Sequence, residues 1–295
     1  MKNKLGLSRY IPADVKRAVR QRCGFGCVLC GAGIYHYDHF QPEFEDATKH
    51  CPEGITLLCG SHHDEKSRGW LTSNQIADAD AAPFCIQHGQ AFGTIRITGA
   101  TPTIRIGCIR FEECRLPIRL FGEKLIWFEK PNDTGEGVWL NALIRDQCGE
   151  VILEIQRNEW VVGSDSWDVE TQGPTISVKS KPYASKLKLK LCPPDSVEIL
   201  SACIVHRGMK MEIQEEHVRC QDVEQQGKVW TGTLSGRLAI RGAEIGLDFR
   251  HGGGLKLGAM FSRLRRQLIS TTTLTPLPRV KALERTDRQI SHLFC

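Results

Sequence analysis

Four residues with metal-binding side chains fall in two short pairs near the start of the chain, Cys27-x-x-Cys30 and Cys59-x-x-His62. Zinc takes four sulfur or nitrogen ligands in a tetrahedron, and an x-x spacing on a tight turn supplies two of them with little backbone strain. One such pair is weak evidence. Two pairs about thirty residues apart predict a structural zinc site. Cys23 and Cys51 are the nearest substitutes if one ligand is misassigned. A segment this short buries little core of its own, so the metal is expected to be a requirement for its fold.

Between and after these pairs lies a second set, Asp38-His39 and His63. Asp38 offers a hard oxygen and His63 an imidazole nitrogen. Two protein ligands leave a divalent ion such as Mg2+ or Mn2+ with open positions, which suits an ion holding water and a phosphate oxygen. His39 is then placed to remove a proton from water, its unperturbed pKa near 6.5 making it a competent base at neutral pH. Lys66, three residues after His63, is a candidate phosphate contact. His36 shares a strand face with Asp38 and is read either as its partner or as a surface histidine.

These side chains need elements to position them. Tyr35 to Phe40 reads as a short strand and Ile55 to Cys59 as its hairpin partner, after which His63 is expected to open a short helix. Upstream, Pro12 and Asp14 start a helix that Gly24 ends. Val15, Ala18 and Val19 line one side of it. Lys16, Arg17, Arg20 and Arg22 line the other, facing phosphates or water. Residues 1–10 read as a loose leader.

The pattern CxxC…DH…LLCxxHH…K resembles the HNH endonuclease family in its zinc-knuckle subtype. The resemblance covers about residues 11–70. It implies a ββα-metal fold and divalent-ion-dependent hydrolysis of DNA phosphodiester bonds. Carried over, His39 matches the general base, Asp38 and His63 the ligands of the catalytic ion, and Cys27, Cys30, Cys59 and His62 the knuckles. The chain is also similar to bacterial HNH proteins in which an RCGFGCVLCG-like stretch leads into a β-rich domain. Two positions depart from the family. Gly54 stands where an asparagine helps orient the base, which leaves that task to a backbone carbonyl of the opposite strand or to His50. His62 stands where cysteine is commoner, a change zinc tolerates.

Residues 74–100 read as a connector, broken by Pro83. Within them Cys85-x-x-His88 has ligand spacing but no second pair nearby. From about Thr101 to Gly258 short β-branched or alternating runs recur between turn signals about every ten residues, which predicts a sandwich or barrel. The most regular is Lys186 to Leu191, where leucines alternate with lysines. Its lysines either protect a sheet edge or track phosphates. Trp127, Trp139, Trp160, Trp167 and Trp230 are read mostly as core.

The predicted class is therefore α+β. A small zinc-stabilised ββα-metal module (residues 11–73) and a connector (74–100) precede a larger, mostly antiparallel all-β domain (101–258) and a basic tail (259–295). The chain has 295 residues, is 41% hydrophobic and 25% charged, and carries a net charge of +5. The tail's seven arginines and lysines against two acids account for that surplus. No apolar run is long enough to span a bilayer, no apolar leader opens the sequence, and the cysteines beyond the knuckles are scattered. A protein of the reducing cytoplasm, with no membrane partner, is expected. The functional expectation is a metal-dependent DNA endonuclease acting on double-stranded DNA. Its β domain would target, sense, or bind a protein partner or second copy, and a role in phage defence follows by analogy alone. The alternative is a zinc-stabilised DNA-binding or interaction protein that does not cut.

Overall fold

The computed structural model describes residues 2–98, 102–130, 137–222, 231–250 and 254–257. The basic tail and Trp230 lie outside the described residues. Helix α1 (Ala13–Cys23) begins after Pro12, whose missing N–H would be unpaired there in any case, and ends at Gly24 in the left-handed conformation, φ 68°. Strand β1 (His36–His39) pairs antiparallel with β2 (Ile55–Leu58), with His36 opposite Leu58 and His39 opposite Ile55. All of β2 is buried, whereas in β1 only Asp38 is. The two strands are joined by a long loop carrying two 3-10 turns, not by a tight hairpin. Helix α2 (Gly60–Ser67) follows at once. It begins three residues earlier than expected, so His63 sits a full turn inside it.

Residues 74–100 are more than a connector. They complete α3 (Ser73–Ala81), which a Thr72–Gln75 capping box opens, and hold α4 (Phe84–His88), which begins directly after Pro83. They also contain β3 (Gln90–Thr94), the edge strand of a large sheet.

The β-rich part confirms the expected strand content. Its first half contains β4 (Thr103–Ile106), β5 (Ile109–Glu112), β6 (Leu116–Leu120), β7 (Glu123–Glu129), β8 (Trp139–Arg145), β9 (Val151–Gln156), β10 (Glu159–Gly163), β11 (Asp168–Gln172) and β12 (Thr175–Lys179). The second half contains β13 (Leu187–Cys192), β14 (Ser196–His206), β15 (Met209–Gln214), β16 (His217–Asp222), β17 (Thr231–Ser235), β18 (Leu238–Arg241), β19 (Ile245–Arg250) and β20 (Gly254–Leu257). One sheet runs β20-β19-β6-β7-β8-β9-β10-β3, the other β11-β12-β13-β14-β15-β16-β17. Pairing is antiparallel except at β19–β6, β14–β4 and β18–β5. A single apolar core, including Ile118, Ile144, Leu153, Trp160, Val178, Leu189, Ile204 and Met211, runs through both sheets. A second, smaller core of Ile11, Val19, Val28, Phe40, Ile55, Leu57, Leu58 and Ile76 lies under β1, β2 and α1.

Three sequence expectations change here. The Lys186–Leu191 run does form a strand, but β13 lies between β12 and β14, so its lysines guard no edge. Lys186 and Lys190 lie 3.8 Å from Glu170 and 3.6 Å from Glu198. Of the tryptophans, Trp160 is buried, whereas Trp139 and Trp167 are half-buried under Arg157 and under Arg17 with Lys179. The leader is not loose. Asn3 is buried, its amide donating to Phe44 O (2.6 Å) and Ala47 O (2.8 Å) while its carbonyl oxygen accepts from Leu5 and Leu7.

The basic side of α1 is also spent internally, because the β-rich part docks on it. Arg20, 3% exposed, holds Asp168 of β11 through two 2.8 Å hydrogen bonds. It also donates to Tyr37 Oη of β1 (2.7 Å) and to Glu170 (3.1 Å). Arg17 reaches the same Asp168, and Lys16 lies over Tyr10 and Tyr37. Arg22 turns to buried Asp80 and to the Pro52 and Ile55 carbonyls.

Candidate metal centres

The two knuckle pairs converge. The ligand atoms of Cys27, Cys30, Cys59 and His62 all lie within 4.8 Å of one another. The first pair sits on a turn that Gly31 makes possible. Its φ is +77°, and a Cβ there would meet the Phe84 ring at 2.6 Å. Val28 N–H donates to Leu57 O at 3.0 Å, which ties this turn to β2. The second pair spans the end of β2 and the first turn of α2. His62 Nδ1 lies 3.3 Å from both Cys27 Sγ and Cys59 Sγ, and Cys30 Sγ lies 3.8 Å from Cys59 Sγ.

Three thiols and an imidazole at this range are the donor set of a tetrahedral zinc site. Cys27 is pushed down to about 4, first by the hydrogen bond from the Cys30 thiol, while the same bond and burial push Cys30 up. The two substitute cysteines are elsewhere. Cys23 is buried beside Thr56 and Asp80, and Cys51 donates to Glu53. Nor do Cys85 and His88 form a site. Cys85 is buried against the Gly31 carbonyl, and His88 is exposed, its ring stacked on Phe84.

The next residue along α2 serves a different neighbourhood. One residue advances about 100° around a helix, so His63 points away from the His62 cluster. His63 Nε2 lies 3.5 Å from Asp38 Oδ1, and its ring lies 5.3 Å from that of His36. Asp38 is buried, which pushes its carboxyl up against the pull of Lys66 and His63. A carboxylate oxygen and an imidazole nitrogen at this separation, with His63 43% exposed, fit a divalent ion that keeps open positions.

Lys66 does not reach outward. Its ammonium donates to Asp38 Oδ2 (2.5 Å) and to the His39 carbonyl (2.6 Å), and lies 3.3 Å from Glu43. Asp38, Glu43 and Lys66 line a depression that continues along Ser67, Gly69 and Leu71 to Thr72 and Ser73. To touch a phosphate, Lys66 would have to leave these oxygens.

His39, adjacent to Asp38 in the chain, has different neighbours. Its Nε2 is 3.1 Å from His50 Nδ1, and its ring lies against Phe44, 5.3 Å between centroids. Burial, then the neighbouring His50, Lys66 and Arg9, pushes it down to about 4, so the imidazole is neutral at pH 7. Gly54 explains its own identity. The Phe40 and Gln41 amides donate to its carbonyl, and a Cβ at this position would lie 2.3 Å from Gln41 O. No asparagine fits there.

Sequence reasoning missed Ser8, Glu43 and Arg20, because each acts through a partner tens of residues away. No known family, curated protein or solved structure matches the chain. Among the described residues no helix is long and apolar enough to cross a membrane.

Proposed function

We propose that the chain is a metal-dependent HNH-type endonuclease that hydrolyses phosphodiester bonds of double-stranded DNA. Its β1–β2–α2 unit would act as the ββα-metal module, and its β-rich part would select the target or bind a partner. The observation that carries this reading is the approach of Asp38 Oδ1 on β1 to His63 Nε2 on α2, 3.5 Å, beside the Cys3His cluster that His62 of α2 joins. Asp38 and His63 would hold a divalent ion, Mg2+ or Mn2+. When bound, that ion supplies positive charge to a non-bridging phosphate oxygen and to the leaving oxygen. His39 stands next to Asp38 as a neutral imidazole able to accept a proton from water. Zinc at Cys27, Cys30, Cys59 and His62 holds α2 against β2 and the Gly31 turn.

A second reading has one observation in its favour. Lys66 already neutralises Asp38, the arrangement a zinc-stabilised binding protein without cleavage would keep. A plasmid-nicking assay of the zinc-loaded protein with Mg2+ or Mn2+ separates the two. The nuclease reading expects metal-dependent nicks that vanish in His39→Ala, a loss of at least about 100-fold, with folding and DNA binding retained. Folded wild-type protein that binds DNA but yields no metal-dependent product would leave the second reading standing.

A further inference from the structure

Two groups from distant parts of the sequence line up behind His39. Its Nε2 lies 3.1 Å from His50 Nδ1, and His50 Nε2 lies 2.9 Å from the Ser8 carbonyl oxygen. A carbonyl only accepts, so His50 must carry its proton on Nε2. A neutral imidazole has one N–H, so His50 Nδ1 presents a lone pair, and His39 must donate to it from Nε2. His39 is thereby left with its own lone pair on Nδ1. The ring cannot flip without breaking that bond and moving against Phe44.

The parts of this arrangement are braced on one another. Ser8 belongs to the leader, and Asn3 pins that leader to the Phe44 and Ala47 carbonyls, on the same loop that carries His50. Lys2 and Ser8 form a bridge across the leader. Arg9, next to Ser8, lies over the Phe44 ring, 4.6 Å from its centroid. On the other side, Gly54 is closed to any side chain by Gln41 O at 2.3 Å, so no side chain at position 54 can orient His39.

We propose that the Ser8 carbonyl and His50 form a positioning relay for His39, fixing its ring orientation and its Nε2–H tautomer so that Nδ1 is the proton-accepting atom. This rests on the nuclease reading only for what His39 then does. In that step a water proton passes to His39 Nδ1 and the water oxygen forms a bond to phosphorus. The P–O bond to the leaving oxygen breaks, its electron pair stays on that oxygen, and the oxygen takes a proton from solvent. His39 becomes an imidazolium still bonded through Nε2 to His50, and returns its proton to solvent.

The experiment compares the full-length zinc-loaded protein with His50→Ala and His50→Asn. Asparagine places an oxygen acceptor near the position of Nδ1. Long-range proton–nitrogen NMR, without added Mg2+, reads the His39 tautomer. It should be Nε2–H in the wild type and in His50→Asn, and mixed in His50→Ala. With Mg2+ and plasmid, His50→Ala should lose about 10–100-fold in kcat at unchanged KM, and His50→Asn should recover most of it. An Nδ1–H tautomer in the wild type, or a His50→Ala protein with wild-type tautomer and kcat, would overturn the relay. If the wild type cuts nothing, the nuclease reading fails, and the tautomer measurement alone still decides whether the relay exists.

Discussion

The module with the Cys3His cluster and the β-rich part solve the same stability problem by different means. The β-rich part buries many Ile, Leu, Val and Phe side chains in one core that runs through both sheets. The module has a smaller set of buried apolar residues under β1, β2 and α1. What it lacks in burial it replaces with two devices: the Cys3His cluster, and the buried Arg20–Asp168 contact that borrows the rigidity of its larger neighbour. The contrast shows why a site can be exposed and polar here without loosening. The cost of ordering it is met from outside the site.

That difference can be broken most severely at the metal. Cys59→Ser, or zinc removal by a chelator, should unfold the module while the β-rich part stays folded. Structural zinc in small domains is worth about 10–16 kcal/mol, far more than the module's small core supplies. Hydrogen exchange resolved by segment checks this: protection should vanish at β1, β2 and α2 and persist through β6–β10 and β12–β16. Uniform loss of protection would show that the two parts melt as one.

Arg20→Ala comes next. It removes both 2.8 Å hydrogen bonds of buried Asp168 and leaves it the longer 3.3 Å contact from Arg17, which costs about 3 kcal/mol. Chemical denaturation should show this loss, and the module should separate from β11, readable as new exposure of Trp167 in fluorescence. Gly54→Ala is a finer probe inside the module. Its Cβ would press on the Gln41 carbonyl, so about 1–3 kcal/mol should be lost on thermal melting. The smallest effect is expected at the lysines of β13. Lys188→Ala removes an exposed side chain and should shift stability by less than about 0.5 kcal/mol. With Lys186 and Lys190 held near Glu170 and Glu198, replacing all three should leave the salt dependence of DNA binding unchanged. A flatter slope would assign phosphate contacts to this face after all.

How far the site could be read from the chain depends on how local its chemistry is. The Cys3His set was legible because knuckle ligands come in pairs at fixed short spacing, and a tetrahedral ion leaves few ways to combine two pairs. Asp38 and His63 were legible as a pair from their donor types, whereas the strand–strand–helix order by itself predicts that His39 meets His63; instead His63 approaches Asp38 and His39 turns to His50. The destinations of Lys66 and of the α1 arginines were not legible. A lysine near an acidic site and a basic helix face look alike in sequence whether they meet phosphate, water or a buried carboxylate.

By itself, then, the order of residues determined the Cys3His set, the strand-rich body and the limits of α1, since each follows from spacing, periodicity or a cap within one local stretch. Only the tertiary structure decided that Arg20 joins the two parts, that β13 lies inside its sheet, that β3 extends the other sheet, and that the leader stands behind His39. These depend on which distant segments meet. Such contacts are selected by packing and by the pairing of buried charge and carbonyl groups, and no short window of sequence carries that information.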